Sequence, residues 1–277
     1  MKFSHYELYD LINRPGPLWL ANADLSDANL RGVKLRGVIL SGANLSRATL
    51  TNAQLSETDL SDANLSECIL IECDLSNSNL MRADLNNANL DGANLSEANL
   101  GGAKLSQANL NETNLRDANL RGTVLYKATL SRANLHRANL GGADLSEVRA
   151  VEVNMREASL IKVNLSGAAL GKCNLQGADL SKSSLLGADL SKSILSEADF
   201  SDAKLSKADL NNSDLSNANL SNADLRGAFL YTANLSGANL SGAKLSDADL
   251  GKATYTTSTV WPDGFDPNAV DAILTSE

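Results

Sequence analysis

ANLSEANL, from Ala93 to Leu100, holds one complete five-residue unit and the start of the next, and the unit A-(N/D)-L-S-x recurs from Ala23 to Tyr255 without an insertion or deletion. Of the 47 unit centres from Leu25 to Tyr255, 43 are leucine, and the others are Ala150, Met155, Phe200 and Tyr255. A period of five suits neither a regular helix nor a straight strand. Five helical steps carry the chain about 140° past a full circle, which would spiral the leucines around every side. In a strand, an odd period sends successive leucines to opposite faces. If every leucine points inward, the backbone must bend once per unit. Short extended pieces joined by corners then coil about an axis, and each layer hydrogen-bonds to the next at about 4.8 Å. Such a chain is an all-β solenoid.

Aromatic residues make up only 4% of the 277, so the core is expected to be thin and layered, built from leucine and alanine. The formal charge of −9 disfavours direct nucleic-acid binding, which draws on clustered lysine and arginine, and leaves basic protein partners open. Cys68, Cys73 and Cys173 all occupy the small slot two residues before a centre and read as buried thiols. With twenty residues per layer, Cys73 and Cys173 are roughly 24 Å apart and beyond bridging. Cys68 and Cys73 lie at neighbouring corners, where a bridge is conceivable and not needed. A reduced, cytoplasmic setting is expected. No run of eighteen apolar residues and no secretory signal occurs, so no membrane association is expected.

The two ends leave the repeat. Ser4 with Glu7 has the form of a capping box and Phe3 with Leu8 that of a hydrophobic staple, which predicts a helix from His5 that Asn13 to Gly16 terminates. After Tyr255, Trp261-Pro262-Asp263-Gly264 reads as a turn. Asp266 with Pro267 predicts a short second helix, with Val270, Ile273 and Leu274 along one face and Phe265 and Val270 at staple spacing. Both helices are expected to cover the ends of the solenoid, with partner docking as the alternative. Within the repeat, the centres Ala150 and Met155 shrink or change while Val148, Val153 and Val163 enlarge the small slots, which predicts a repacked coil and no break.

Over about residues 18–257 the unbroken A-(N/D)-L-x-x pattern resembles the pentapeptide-repeat proteins, in the manner of their long, regular cyanobacterial members. The resemblance implies a right-handed quadrilateral β-helix with four pentapeptides per coil, the centre and the residue two before it inside and the other three outside. It also implies about twelve coils and a rod on the order of 58 Å long. The expected organisation is an N-terminal cap helix at 1–17, the β-helix at 18–257, and a turn with a cap helix at 258–277. Terminal helices form dimer contacts in some members of the family, so the chain is expected to be a monomer or a homodimer through such a helix.

No catalytic, cofactor or metal constellation is present. The outward serines lack histidine and carboxylate partners, and the stacked aspartates are interrupted on every face. With a twenty-residue coil, His136 stacks between Arg116 and Arg156, with Arg137 beside it. This column is either an anion site or a surface charge ladder, because Asp117 and Glu157 sit next to the arginines. The resemblance brings one sharper idea: some family members inhibit or protect DNA gyrase by imitating duplex DNA. An acidic stripe would be needed, yet outward charges on the four faces net −1, −1, −2 and −1. Charge is instead banded along the chain. Residues 57–97 carry nine acids against Arg82, a net −8, and residues 113–143 carry five bases against Asp117, a net +4. Among the outward apolar residues, Phe229 and Tyr231 share one unit and form the favoured contact spot. The expected function is therefore a non-enzymatic scaffold for an unknown protein partner, with a DNA-mimicking gyrase modulator as the alternative and a purely structural rod as a third reading.

Overall fold

The computed structural model describes residues 18–276, which fall into two compact units divided between Asn139 and Leu140. Each unit is a four-sided β-helix. Single parallel bridges join a residue to the one twenty positions later, as in Asp59↔Asn79 and Asn79↔Asn99 in the first unit and Asp179↔Asp199 and Asp199↔Asn219 in the second. With one corner per five residues, twenty residues make four sides.

The repeat can be derived from its backbone accounting, because a buried N–H left without an acceptor is costly. In the unit around Leu60, the N–H groups of Leu60 and Asp62 donate to the carbonyls of Asn79 (2.7 Å) and Met81 (2.9 Å) in the next coil. Asp59 donates to Val38 in the previous coil (3.0 Å), and Ala63 closes the corner by donating to Leu60 (3.1 Å). The remaining group, Ser61 N–H, donates to Asp59 Oδ1 (3.1 Å). Asparagine or aspartate before the centre is thus a turn residue, whose short side chain satisfies the one N–H that no backbone carbonyl reaches. Successive asparagines also reach downward, as Asn79 Nδ2 does to Asp59 Oδ1 at 3.0 Å. At every corner from Asn22 to Lys252 the second corner residue has φ between 55° and 70°, the left-handed value a type II turn requires.

The centres and the small slots form the core. Leu60 and Leu125 are fully buried, with Ala63 and Ala128 beside them. Serine or threonine in a small slot returns its hydroxyl to the carbonyl three residues earlier, as Thr58 does to Leu55 and Ser213 to Leu210, both at 2.6 Å. The three thiols are buried and unbridged, and burial pushes each up to about 12. In the second unit Val148, Ala150, Val153, Met155 and Val163 are all buried, and Ala150 and Met155 keep their inter-coil bonds to Ala169 (2.8 Å) and Asn174 (2.7 Å). Exchange of volume between slot and centre leaves the ladder intact.

The C-terminal end differs from the expected α-helix. The repeat first continues past one extra residue: Thr259 enters a small slot, Val260 pairs with Asn239, and Trp261 takes the place of a centre. The turn expected at 261–264 forms one residue later, over 262–265, with Phe265 N–H donating to Pro262 O (3.1 Å). Asp266 caps as expected, accepting from Asn268 N–H (3.0 Å), but it opens only a four-residue 3-10 helix, Pro267–Val270, ended by Asp271 at φ 55°. Ile273 and Leu274 form a strand, β2 (Ile273–Leu274), parallel to β1 (Thr254–Tyr255), with Ile273 N–H on Ala253 O and Thr275 N–H on Tyr255 O, both 2.8 Å. Unpaired groups on the last coil recruit the tail as a further rung, and a segment this short has little helical stability to set against that demand. The C-terminal cap helix expected over 258–277 is thus reduced to this single 3-10 turn followed by β2. Phe265 stacks on Trp261 (5.0 Å), which meets Tyr255 edge-on (5.4 Å), so an aromatic cluster closes this side of the core. The helix expected within residues 1–17 lies outside the described residues.

Candidate partner-contact surface

In the first unit, Arg116 and Arg137 converge on one carboxylate. Arg137 Nε lies 2.7 Å from Asp117 Oδ1 and Arg116 Nε 3.1 Å from Asp117 Oδ2. The Arg137 hydrogen bond, aided by Arg116, holds the Asp117 carboxyl below its ordinary value. His136 lies between them in sequence, with its N–H on Asn134 Oδ1 (3.2 Å) and its carbonyl accepting from Asp117 N–H (3.0 Å). Arg156 belongs to the second unit, where its Nη2 is 3.0 Å from Glu157 Oε1. Each arginine in this set is already engaged with a carboxylate, which leaves little positive potential for a free anion.

Phe229 and Tyr231, in the second unit, are 47% and 39% exposed, while Ala228 and Leu230 beside them are buried. Phe229 stands where the repeat places asparagine or aspartate, so the unit lacks the side chain that would accept Tyr231 N–H. Asn211, one coil earlier, supplies it: Tyr231 N–H donates to Asn211 Oδ1 at 2.8 Å. The same substitution of acceptor occurs at Lys104, where Asn86 serves Ser106 (2.9 Å), and at Thr129, where Asn111 serves Ser131 (2.8 Å).

The Tyr231 ring packs under residues of the next coil. Lys252 Nζ sits 5.5 Å from the Tyr231 ring centroid, a cation–π distance. A Cβ on Gly251 would come within 3.2 Å of Tyr231 Cδ2, so glycine leaves the room the ring occupies. In the bridge register, Phe229 pairs with Asp209 on one side and Asp249 on the other. Asp209, Asp249, Asn211 and Lys252 gave no signal of their own in the sequence, although the twenty-residue period places each within one coil of the two rings.

Two family models match the chain. The one described as pentapeptide repeats covers residues 23–62, 138–177, 173–212 and 213–251, and the one described as a pentapeptide repeat region covers 43–120 and 63–143. The chain belongs to the pentapeptide repeat family. Solved pentapeptide repeat structures similar to it include HetL, from the cyanobacterium Nostoc sp. strain PCC 7120, described as involved in heterocyst differentiation regulation. Identity to HetL is 35% over 86% of this chain and 92% of that one, with a TM-score of 0.41. Another, alr5209, also from Nostoc, is 38% identical over 40% of this chain and 84% of its own, with a TM-score of 0.21. QnrB1, a plasmid-mediated fluoroquinolone resistance protein, is 18% identical over 75% and 89%, with a TM-score of 0.40. The comparison with curated proteins finds no match. Among the described residues of this pentapeptide repeat chain, no helix is long and apolar enough to cross a membrane, and no group of three or more histidine, cysteine or acidic side chains is placed to hold a metal ion.

Proposed function

We propose that this pentapeptide repeat protein is a non-enzymatic interaction scaffold that binds a protein partner through Phe229 and Tyr231. One observation carries the reading: Phe229 and Tyr231, outward residues of one unit, leave two rings half exposed, and Phe229 stands where the repeat places asparagine or aspartate, its lost acceptor supplied by Asn211. A local rule broken and compensated, with two rings left half exposed, fits a site kept for contact better than one kept for folding. Unbridged buried thiols support a reducing, cytoplasmic setting. The DNA-mimicking alternative has less support, because carboxylates alternate with arginines in vertical pairs such as Asp27–Arg47 and Asp62–Arg82 and no acidic stripe builds up.

The test compares the wild type with Phe229→Ala/Tyr231→Ala as immobilised bait in lysate of the source cells, with captured proteins quantified. At least one protein is expected to be held by the wild type and depleted about ten-fold on the double variant, since two exposed aromatic anchors contribute on the order of 1 kcal/mol or more. Identical capture by both baits would refute the proposed surface.

A further inference from the structure

We infer that the Phe229 surface receives a basic segment of its partner, with a lysine or arginine side chain seated on Phe229 between Asp209 and Asp249; this rests on the contact surface proposed above. The two rings of the patch are provisioned differently. Tyr231 already has a cation of its own, Lys252, 5.5 Å from its centroid. Phe229 has none among the described residues, and it stands between carboxylates one rung away on either side. Asp209 and Asp249 each use Oδ1 to hold their own turn, accepting from Asn211 N–H at 2.9 Å and Gly251 N–H at 3.0 Å, and their Oδ2 atoms accept nothing among the described residues. Of the cations close in sequence, Arg226 is gripped by Asp224 through Nε (2.8 Å) and Nη2 (2.6 Å), and Lys252 lies over the Tyr231 ring. Lys207, two residues before Asp209, makes no ion pair with it.

At the spacing of stacked strands the two carboxylates are about 10 Å apart, with the ring midway. A cation placed over the ring gains from its negative face and from a carboxylate on either side, whereas an anionic or purely apolar segment would meet repulsion or an uncompensated charge. Tyr231, with Lys252 above it, then supplies the apolar wall beside that cation. An acidic partner segment is disfavoured by the same geometry.

The substitution Asp209→Asn/Asp249→Asn isolates the charge, because asparagine keeps the Oδ1 acceptor and is the residue most often found at this point of the repeat. Fluorescence anisotropy of the full chain would be measured with a labelled peptide of arginine, alanine and leucine and with its counterpart carrying glutamate for arginine. The arginine peptide is expected to bind saturably and to weaken about five-fold with Asp209→Asn/Asp249→Asn and about five-fold with Phe229→Ala, while the glutamate peptide does not bind. Unchanged melting curves would show that the variants fold. If Phe229→Ala weakens binding and the asparagine pair does not, the contact surface stands and the basic-partner inference falls. If neither variant weakens it, both readings fall. Equal binding of the two peptides, or binding of neither, overturns the inference.

Discussion

At Gly122 the backbone has φ +65°, and a Cβ there would meet nothing within 4 Å, so substitution is opposed by the backbone alone. Gly122→Ala should cost about 1 kcal/mol in chemical denaturation. The converse holds at Glu197, which adopts φ 62° with a full side chain; Glu197→Gly should stabilise by a few tenths of a kcal/mol, the relief of strain being partly offset by unfolded-chain entropy. Asparagine before the centre is the other residue-scale device. Asn114 accepts from Arg116 N–H (3.3 Å) and Asn134 Nδ2 (3.4 Å) and donates to Asn94 Oδ1 (3.0 Å). Asn114→Ala removes all three and should cost about 1 to 2 kcal/mol, while Asn114→Asp, which keeps both acceptors, should cost less. Comparing urea midpoints of the two variants checks the assignment of this side chain as a turn acceptor.

One coil up, the same logic governs how side chains share space and charge. Val148 and Ala150 divide a volume that elsewhere goes to alanine and leucine, and both are buried. Ala150→Leu alone should overpack the layer and cost about 1 to 3 kcal/mol, and adding Val148→Ala should recover most of that loss in a double-mutant cycle. Charge pairs run vertically between coils: Arg82 grips Asp62 through Nε (2.7 Å) and Nη2 (2.6 Å), and that hydrogen bond lowers the Asp62 carboxyl from 3.8. A lowered carboxyl stabilises the fold above its unfolded value and ceases to do so as pH falls through its folded value. The Tm gap between the wild type and Arg82→Gln should therefore be present at neutral pH, shrink in high salt, and close on acidification below 3.8. Such coils were legible in the sequence because an unbroken period of five allows one inward solution. The tail was not. Val270, Ile273 and Leu274 carry helical spacing, and only the unpaired edge of β1, a tertiary fact, decides that Ile273 and Leu274 extend a sheet.

For the molecule as a whole, the closure of the C-terminal end and the placement of the contact surface are separate matters. Tyr255, Trp261 and Phe265 close one side of the last coil, while β2 covers another. Deleting residues 262–277 would uncover Trp261 and the edge of β1, and sedimentation should then show concentration-dependent oligomers that the full chain does not form. The contact surface was half legible: Phe229 and Tyr231 stand out as apolar residues at outward positions, but their support by Asn211, Gly251 and Lys252 is spread over three coils and emerges only once the register is known. The most direct measurement of the scaffold reading places a photo-activatable phenylalanine analogue at position 229 and, as control, at position 182 on the same unit, with irradiation in the source cells. A discrete protein adduct from position 229 and none from position 182 is the predicted result; the same adducts from both positions, or none from position 229, would contradict it.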